Sequence, residues 1–497
     1  MRDDSTVQQY VVLPARGIVA TEASASREIR SYLISLHSSM NNPGALKRPQ
    51  KSTIPMRILD SIHENGAKLV ELSAQSASDL RAEQPGLRLV PVVYYYPQVH
   101  RPPLPLPSLR AATATVGTKI VVKVVSKTDG KPVGGALVVA FTDFANRIGA
   151  QGKTNKSGDA ALGLGSNSKK VERLYVFPEK NYWGSLKRNA SLKAGFTVGI
   201  IPVDLSYTDA LRFFYGNSAD TAGNGLTVGV IDTGVGPHSD LRVAGGENTV
   251  AGENSSDYHD NGEGHGTHVA GIIAACGKPP TGIRGLAPGV VLRSYRVFGK
   301  HAKGASNFAI AKAIDRAVEQ GCDLVNMSLG GGPADIATRE AIADARARGC
   351  LVLAASGNDD RSPVSFPASD SLCLAVSAMG RKGTFPVGAT QAGDVASPYG
   401  TDKKNFLAAF SNVGSAVDLT GPGVGILSTV PGGYAPMDGT SMACPAACGM
   451  AAHILSALTN IVGLPRDEAR SDAMARSVLH AAKSLGFGPT YEGQGLL

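Results

Sequence analysis

The sequence predicts an α/β chain of three modules, the largest of them, residues 206–497, built on a mostly parallel sheet with helices on both faces. Three observations lead there. From about residue 221, continuously apolar strands alternate with amphipathic helices, the pattern of a parallel sheet covered on both sides. Residues 8–98 run strand, helix, strand, strand, helix, strand, a ferredoxin-like α+β order. Residues 108–205 hold short strands separated by Gly, Asp and Lys turns, which reads as a small β-sandwich. A chain of 497 residues has room for all three at roughly 150 residues per domain.

In the first module, 1–98, Tyr10–Leu13 is a short apolar strand, and 25–40 place Ile29, Leu33, Leu36 and Met40 at helical spacing. Two strands follow around Glu64-Asn65-Gly66, a turn signal. Ser73–Glu83 is a second helix, and LRLVPVVYYY closes the module as one strand. Five prolines in 97–107 favour an extended spacer, so this stretch is expected to be a linker. In 108–205 the strands are expected to pair antiparallel. In the third module LTVGVID, VVLRSYRVF, CDLVNMSL and CLVLAAS are strands, separated by THVAGIIAAC, SNFAIAKAIDRAVEQG and PADIATREAIADARARG as helices. In such a sheet the ligand crevice opens at the carboxyl ends of the strands.

Composition narrows the function. Gly is 59 residues without a Gly-X-Y period, which excludes a collagen-like chain. No stretch approaches the ~20 apolar residues of a membrane helix. The opening MRDDSTVQQY has acids and no apolar core, so a signal peptide is not expected. A cytoplasmic location, or export by a non-classical route, is the resulting expectation. Net charge is +8, and the basic excess is concentrated in 108–205. Its lysines are scattered, which suits a solvated surface; no nucleic-acid or membrane partner is expected, and a monomer is. The six cysteines all follow residue 275 without CxxC spacing and read as buried free thiols.

Three motifs sit at strand ends and helix starts: VGVIDTGVG with Asp232, GHGTHVAG with His265, and GTSMACP with Ser441. A serine hydroxyl is a weak nucleophile until a base takes its proton, and a neutral imidazole is such a base. A carboxylate behind the imidazole fixes its tautomer. A fourth motif, AASGN, ends in Asn358, whose amide can donate to an oxyanion together with the Ser441 N–H.

In this order, Asp232-Thr233-Gly234, His265 through Gly271, Ala355 through Asn358 and Gly439 through Ala443 resemble the subtilisin family of serine proteases. Val325–Gly331 and the lead-in FSNVGSAVDLTGPGVGILST are similar as well, so the resemblance covers about 222–497. It implies a serine endopeptidase acting through Asp232, His265 and Ser441, with Asn358 in the oxyanion hole. Extended peptide or protein substrates would pair with Ser328, Leu329 and Gly330, and Ala355, Ser356 and Gly357 would line a small-walled pocket. Residues 8–98, above all GAKLVELSAQSASDLRAEQPGLRLVPVV, resemble the family's inhibitory propeptide, which implies a self-inhibited zymogen. The chemistry needs no cofactor. Calcium is common in the family, and Asp257, Asp260 and Glu263 are loop carboxylates that could contribute, without a fixed ligand set. The family's Pro-His-Val-Ala-Gly after the serine is here Pro445-Ala446-Ala447-Cys448-Gly449, a change in packing rather than in the base.

A different class of function is a degenerate protease scaffold in which the basic β-domain binds a partner. The intact set of four motifs weighs against it. Self-processing, if it occurs, is expected within Ser108–Thr113, the first proline-free stretch at a domain edge, with 216–224 as a competing site.

Overall fold

The computed structural model describes residues 7–41, 54–100, 103–106, 119–164, 170–193 and 195–497. In the third module nine strands form one sheet. Val243–Asn248, Val291–Arg296, Thr227–Asp232, Leu324–Met327, Leu351–Ala355 and Cys373–Arg381 follow in parallel, and Leu419–Pro422 adds in parallel to the last of these. Asn405–Ala408 and Val395–Tyr399 continue antiparallel at one edge. Alternation along each strand sends side chains to opposite faces. Leu351 and Leu353 join Val269, Ile273, Met442 and Leu455 from helices His265–Ala274 and Thr440–Ser456. Val352 and Ala354 join Phe308, Ile314 and Ile342 from helices Asn307–Glu319 and Ile336–Ala347 on the other side.

The first module is a four-stranded antiparallel sheet in the order Arg57–Ser61, Lys68–Leu72, Gln8–Pro14, Leu87–Pro91. Helices Arg27–Asn41 and Ala74–Glu83 lie in its chain order as the periodicity predicts, the second capped by Ser73 on Ser76 N. Tyr10 and Val12 face this module's own core with Leu33, Val70 and Leu80. Val11 and Leu13, on the opposite face, pack into the core of the third module with Phe308 and Ile342. One strand thus serves two cores. Around that contact Arg88 pairs with Glu340 at 2.7 Å, Lys312 with Asp60 at 2.9 Å and His63 with Asp315 at 2.8 Å.

The expected single closing strand is two. Leu87–Pro91 stays in the first sheet, whereas Tyr94–Pro97 crosses to the third module and pairs antiparallel with Leu329–Gly330 and with Ala305–Ser306. Asn307 N donates to Val93 O at 2.9 Å at the crossing. The third module's short strands offer unpaired backbone groups there, and a passing strand satisfies them. Pro97, read as the start of a linker, is the end of this strand. Of the remaining linker, 101–102 and 107 lie outside the described residues.

The middle module has two sheets around one core containing Val122, Val138, Leu174 and Val198. Its strands are not all antiparallel: Phe196–Ile200 runs parallel to Ile120–Ser126. The chain returns to that strand through the other sheet rather than by a hairpin, and a crossover allows parallel pairing. Asn181 N donates to Tyr434 O at 2.7 Å and Leu186 N to Gly388 O at 2.8 Å, joining the module to the third. Trp183 between them is 1 % exposed, its ring 5.3 Å from that of Tyr207. Among the described residues no helix is long and apolar enough to cross a membrane, and all six cysteines are free, five of them buried.

Trp183→Ala is expected to cost about 3–5 kcal/mol by removing a buried ring. Urea unfolding of the otherwise unchanged Ser441→Ala chain measures it, and a midpoint shift near zero would show that Trp183 does not hold the modules together.

Candidate active site

The carboxyl end of the Thr227–Asp232 strand and the start of the His265–Ala274 helix bring the first pair together. His265 Nδ1 lies 2.7 Å from Asp232 Oδ1, and both side chains are buried. A carboxylate at that distance accepts, so Nδ1 carries the proton and Nε2 is left with its lone pair. Asp232 Oδ1 also accepts from Thr233 N at 2.6 Å. The close approach needs a residue without a side chain at 266: a Cβ there would lie 2.3 Å from Gly234 O and 3.1 Å from Asp232.

Ser441 is the second residue of the Thr440–Ser456 helix. Its Oγ donates to Ser328 O at 2.9 Å, and His265 Nε2 has no hydrogen-bond partner among the described residues. Ser328 Oγ in turn donates to Ser441 O at 3.0 Å and accepts from Asn326 Nδ2 at 2.9 Å. Asn358 is held by Thr440, whose N and Oγ1 both donate to Asn358 Oδ1, at 2.9 and 3.0 Å. With Oδ1 engaged, Nδ2 is the free end, buried and without a partner. A buried donor left unpaired costs about 1–3 kcal/mol, so its retention calls for an explanation.

A segment of the chain itself lies across this site. Gln98 N donates to Ser328 O at 3.0 Å, and Gln98 O accepts from Ser441 N at 2.9 Å. Upstream, Tyr96 stands opposite Gly330 and Pro97 opposite Leu329 in the antiparallel register. Alternation leaves Tyr94 and Tyr96 exposed and buries Tyr95 completely. The Tyr95 hydroxyl donates to Asp335 Oδ2 at 2.5 Å and lies 2.7 Å from Pro333 O. Burial and then the Asp335 charge push its phenol well above the ordinary range. Gly439, with φ 149°, is where the segment passes the helix start: a Cβ there would come within 2.5 Å of Gln98 O.

Of the residues singled out by sequence, Asp232, His265, Ser441, Asn358, Ser328, Leu329 and Gly330 converge here. Ala355, Ser356 and Gly357 are buried and serve as framework as well: Ser356 Oγ donates to Asn412 O at 3.3 Å and Gly357 N to Thr440 Oγ1 at 3.3 Å. The carboxylates considered for calcium have the following surroundings. Asp260 accepts from Gly262 N, Gly264 N and Thr267 Oγ1, Asp257 faces Arg296 and Lys300, and Glu263 is exposed. Cys444 and Cys448 are buried, and burial pushes both thiols up, as expected of inert packing groups. Thr440, Gln98 and Tyr95 were not singled out. The run Tyr94-Tyr95-Tyr96 before the prolines is the one local signal that pointed at the last two.

Fold and site define a member of the subtilase family. The model of that family matches residues 223–495, more than half of the chain, so the chain belongs to it. Among curated relatives, alkaline elastase YaB of Bacillus sp. (strain YaB) is 41 % identical over 232 residues, 46 % of this chain and 54 % of that protein. Subtilisin BL of Lederbergia lenta is 38 % identical over 231 residues, 46 % of this chain and 76 % of that protein. The thermostable alkaline protease of Halalkalibacterium halodurans is 33 % identical over 273 residues, 55 % of this chain and 66 % of that protein. The match thus spans about half of alkaline elastase YaB. It is a family of subtilisin-type serine proteases.

His268, one turn beyond His265, is fully buried, with Nε2 3.0 Å from Ile426 O and 2.9 Å from Ala435 O. Burial pushes it down to about 3. Its folded value lies below the unfolded one, so between about pH 6.5 and that value the unfolded chain takes up a proton that the folded chain refuses. Stability therefore falls as pH falls through this window. In a Ser441→Ala background, His268→Gln is expected to lose less unfolding free energy between about pH 7 and about pH 4 than the parent. Equal losses in urea titrations would remove His268 as a contributor.

Proposed function

We propose that the chain is a serine endopeptidase made as a self-inhibited zymogen. His265 Nε2 takes the proton of Ser441 Oγ after a χ1 rotation away from Ser328 O. Oγ attacks the scissile carbonyl, and the oxyanion is held by Ser441 N–H and Asn358 Nδ2. That role accounts for an amide left unpaired in the resting site, since its acceptor forms only during reaction. Asp232 keeps the imidazole oriented and stabilises its protonated form. His265 then gives its proton to the leaving amine, an acyl-enzyme forms on Ser441, and water releases it.

The observation that carries this reading is the Gln98 carbonyl on Ser441 N, beside the His265–Asp232 pair. It favours residues 1–98 as a ferredoxin-like inhibitory prodomain whose tail occupies the substrate groove. It also favours Gln98–Val99 as the bond cut during maturation, ahead of the expected 108–113, which lies outside the described residues. Proline adjacent to a bond argues against cleavage because it removes a donor, but Gln98 follows Pro97 with its own N–H intact and engaged. The competing 216–224 stretch is held only toward its end, where Ala222 is buried and its carbonyl accepts Gly289 N at 2.8 Å, while Ala219, Asp220 and Thr221 are exposed. No observation favours the degenerate-scaffold alternative.

Intact-mass analysis of wild type beside Ser441→Ala tests the proposal. A new N-terminus at Val99 in the wild type alone is expected. A start near residue 110 or 220 would move the cut, and a wild type that is active at full length would end the zymogen reading. A fluorophosphonate probe should label Ser441, and absence of label in folded, processed protein would end the protease reading. Asn358→Ala is expected to lower kcat by about 10²–10³, the loss known for the equivalent donor in subtilisin itself.

A further inference from the structure

Beyond Gln98 the chain passes from the third module to the middle one. His100 N donates to Asp438 O at 2.7 Å, and its ring stacks on Phe410 with centroids 4.6 Å apart. Pro103 then lines a cavity of about 460 Å³ together with Phe144, Tyr175 and Phe177 of the middle module. Leu106 N donates to Arg147 O at 3.0 Å. Arg147 directly precedes Ile148–Lys153, the end strand of its sheet, where backbone groups on the outer side have no neighbouring strand. Leu106 stands between Pro105 and Pro107, so its N–H is a donor that the flanking prolines lack, and it is used. The Leu104 and Leu106 side chains are exposed, so the backbone and the Pro103 ring make this hold.

We propose that the middle module keeps the enzyme's own new amino-terminal segment in the groove after self-cleavage, Val99 and His100 staying beside Ser441 and Asp438 because Pro103 and Leu106 anchor them, as an intramolecular competitor of any substrate that extends past the scissile bond. This rests on the protease reading and on Gln98–Val99 as the bond cut. Hydrolysis of that bond consumes water and leaves the Gln98 carboxylate and the Val99 ammonium. It breaks none of the contacts at His100, Pro103 or Leu106. The two sides of the cut then differ. Gln98 belongs to the first module, whose covalent link to the rest of the chain is gone. Val99 is continuous with a module joined to the third by Asn181 N on Tyr434 O and by the buried Trp183. A segment tied down so close to the groove re-enters it at an effective concentration on the order of millimolar. Its prolines keep it extended, so little conformational entropy is lost on binding. Release of the first module therefore clears only the half of the groove before the cut.

The test uses processed enzyme whose mature terminus is verified by intact mass. The parent is set beside Leu106→Pro, which removes the donor to Arg147, and His100→Gly, which removes the ring on Phe410. An internally quenched peptide extending several residues past the cut reports the competition, and the fluorophosphonate probe, which reaches only Ser441, reports the site itself. A segment bound about two-thirds of the time raises an apparent KM about threefold. Both variants are therefore expected to lower KM for the extended peptide by about threefold or more, with kcat and the labelling rate unchanged. An added aminopeptidase is expected to remove Val99 from both variants faster than from the parent by a similar factor. Equal KM values in the parent and both variants, or equal rates of Val99 removal, would overturn the retained segment while leaving the protease reading intact. So would a mature terminus other than Val99. Should Leu106→Pro not fold, His100→Gly decides alone. No hydrolysis of any peptide together with no label in folded, processed protein would overturn the protease reading, and this inference with it.

Discussion

The 2.9 Å hydrogen bond from Ser441 N to the Gln98 carbonyl is the contact that ties the arrangement of the first and third modules to the site. It forms only if Gly439 leaves room, if Tyr96 and Pro97 pair in register with Gly330 and Leu329, and if the first module sits where that strand can reach. The last condition is met by apolar packing of Val11 and Leu13 against the third module's helices, fringed by charge pairs. These pairs are largely buried, so much of their attraction goes to offset desolvation; apolar burial carries the docking and the pairs set its register. Asp335 links the two ends of the arrangement. Its Oδ1 caps the Ile336–Ala347 helix that supports the first module, and its Oδ2 accepts from the Tyr95 hydroxyl in the groove. Because the segment is tethered, it meets the groove at an effective concentration that a free peptide would not reach.

The site is built on rigid supports. A parallel strand ends at Asp232, helices begin at His265 and Thr440, and a second strand leads into Asn358 through Ala355. Each support is buried, so the side chains inherit positions fixed by the core. The polar atoms left unpartnered there, Asp232 Oδ2, His265 Nε2 and Asn358 Nδ2, include the very atoms the proposed chemistry needs to be free. In a core, such atoms are usually paired. Unpartnered atoms occur elsewhere too, on Arg212 for example, so it is their place beside Ser441 that gives these three their meaning.

What could be read from sequence was local. The alternation of strands and helices after residue 221 placed the parallel sheet, and four short motifs placed Asp232, His265, Asn358 and Ser441, because each motif carries its own strand end or helix start. What could not be read depends on pairs far apart in the chain. Tyr95 meets Asp335, and Gln98 meets Ser441, only after two modules have folded and docked. Proline content alone made 97–107 look like a spacer, yet its first residues are in the groove. The split of the closing strand was hidden for a similar reason: VVYYY after Pro91 is β-prone throughout, and the partner that captures its second half belongs to another module. The parallel pairing of Phe196–Ile200 follows from the route of the chain, which turn signals do not encode.

The middle module shows how charge and position combine. Its basic excess looked like a solvated surface, and for most of its lysines nothing contradicts that. Two of its arginines differ. Arg173 lies on Phe144 and Arg147 beside it, across the cavity from Asp394 and Asp438. They do not pair with those carboxylates. The module is held instead by Trp183 and by backbone bonds such as Asn181 N to Tyr434 O. Side chains add to these bonds, Asn181 Oδ1 accepting from Tyr434 N and Lys180 Nζ donating to Pro431 O, while Asp438 is engaged by Gln391 Nε2 and Gly425 N. In the proposed zymogen the groove between the two modules holds the chain's own Val99 and His100. The module follows the bond at Ser441 in sequence, so cutting that bond would release the first module and leave the middle one attached.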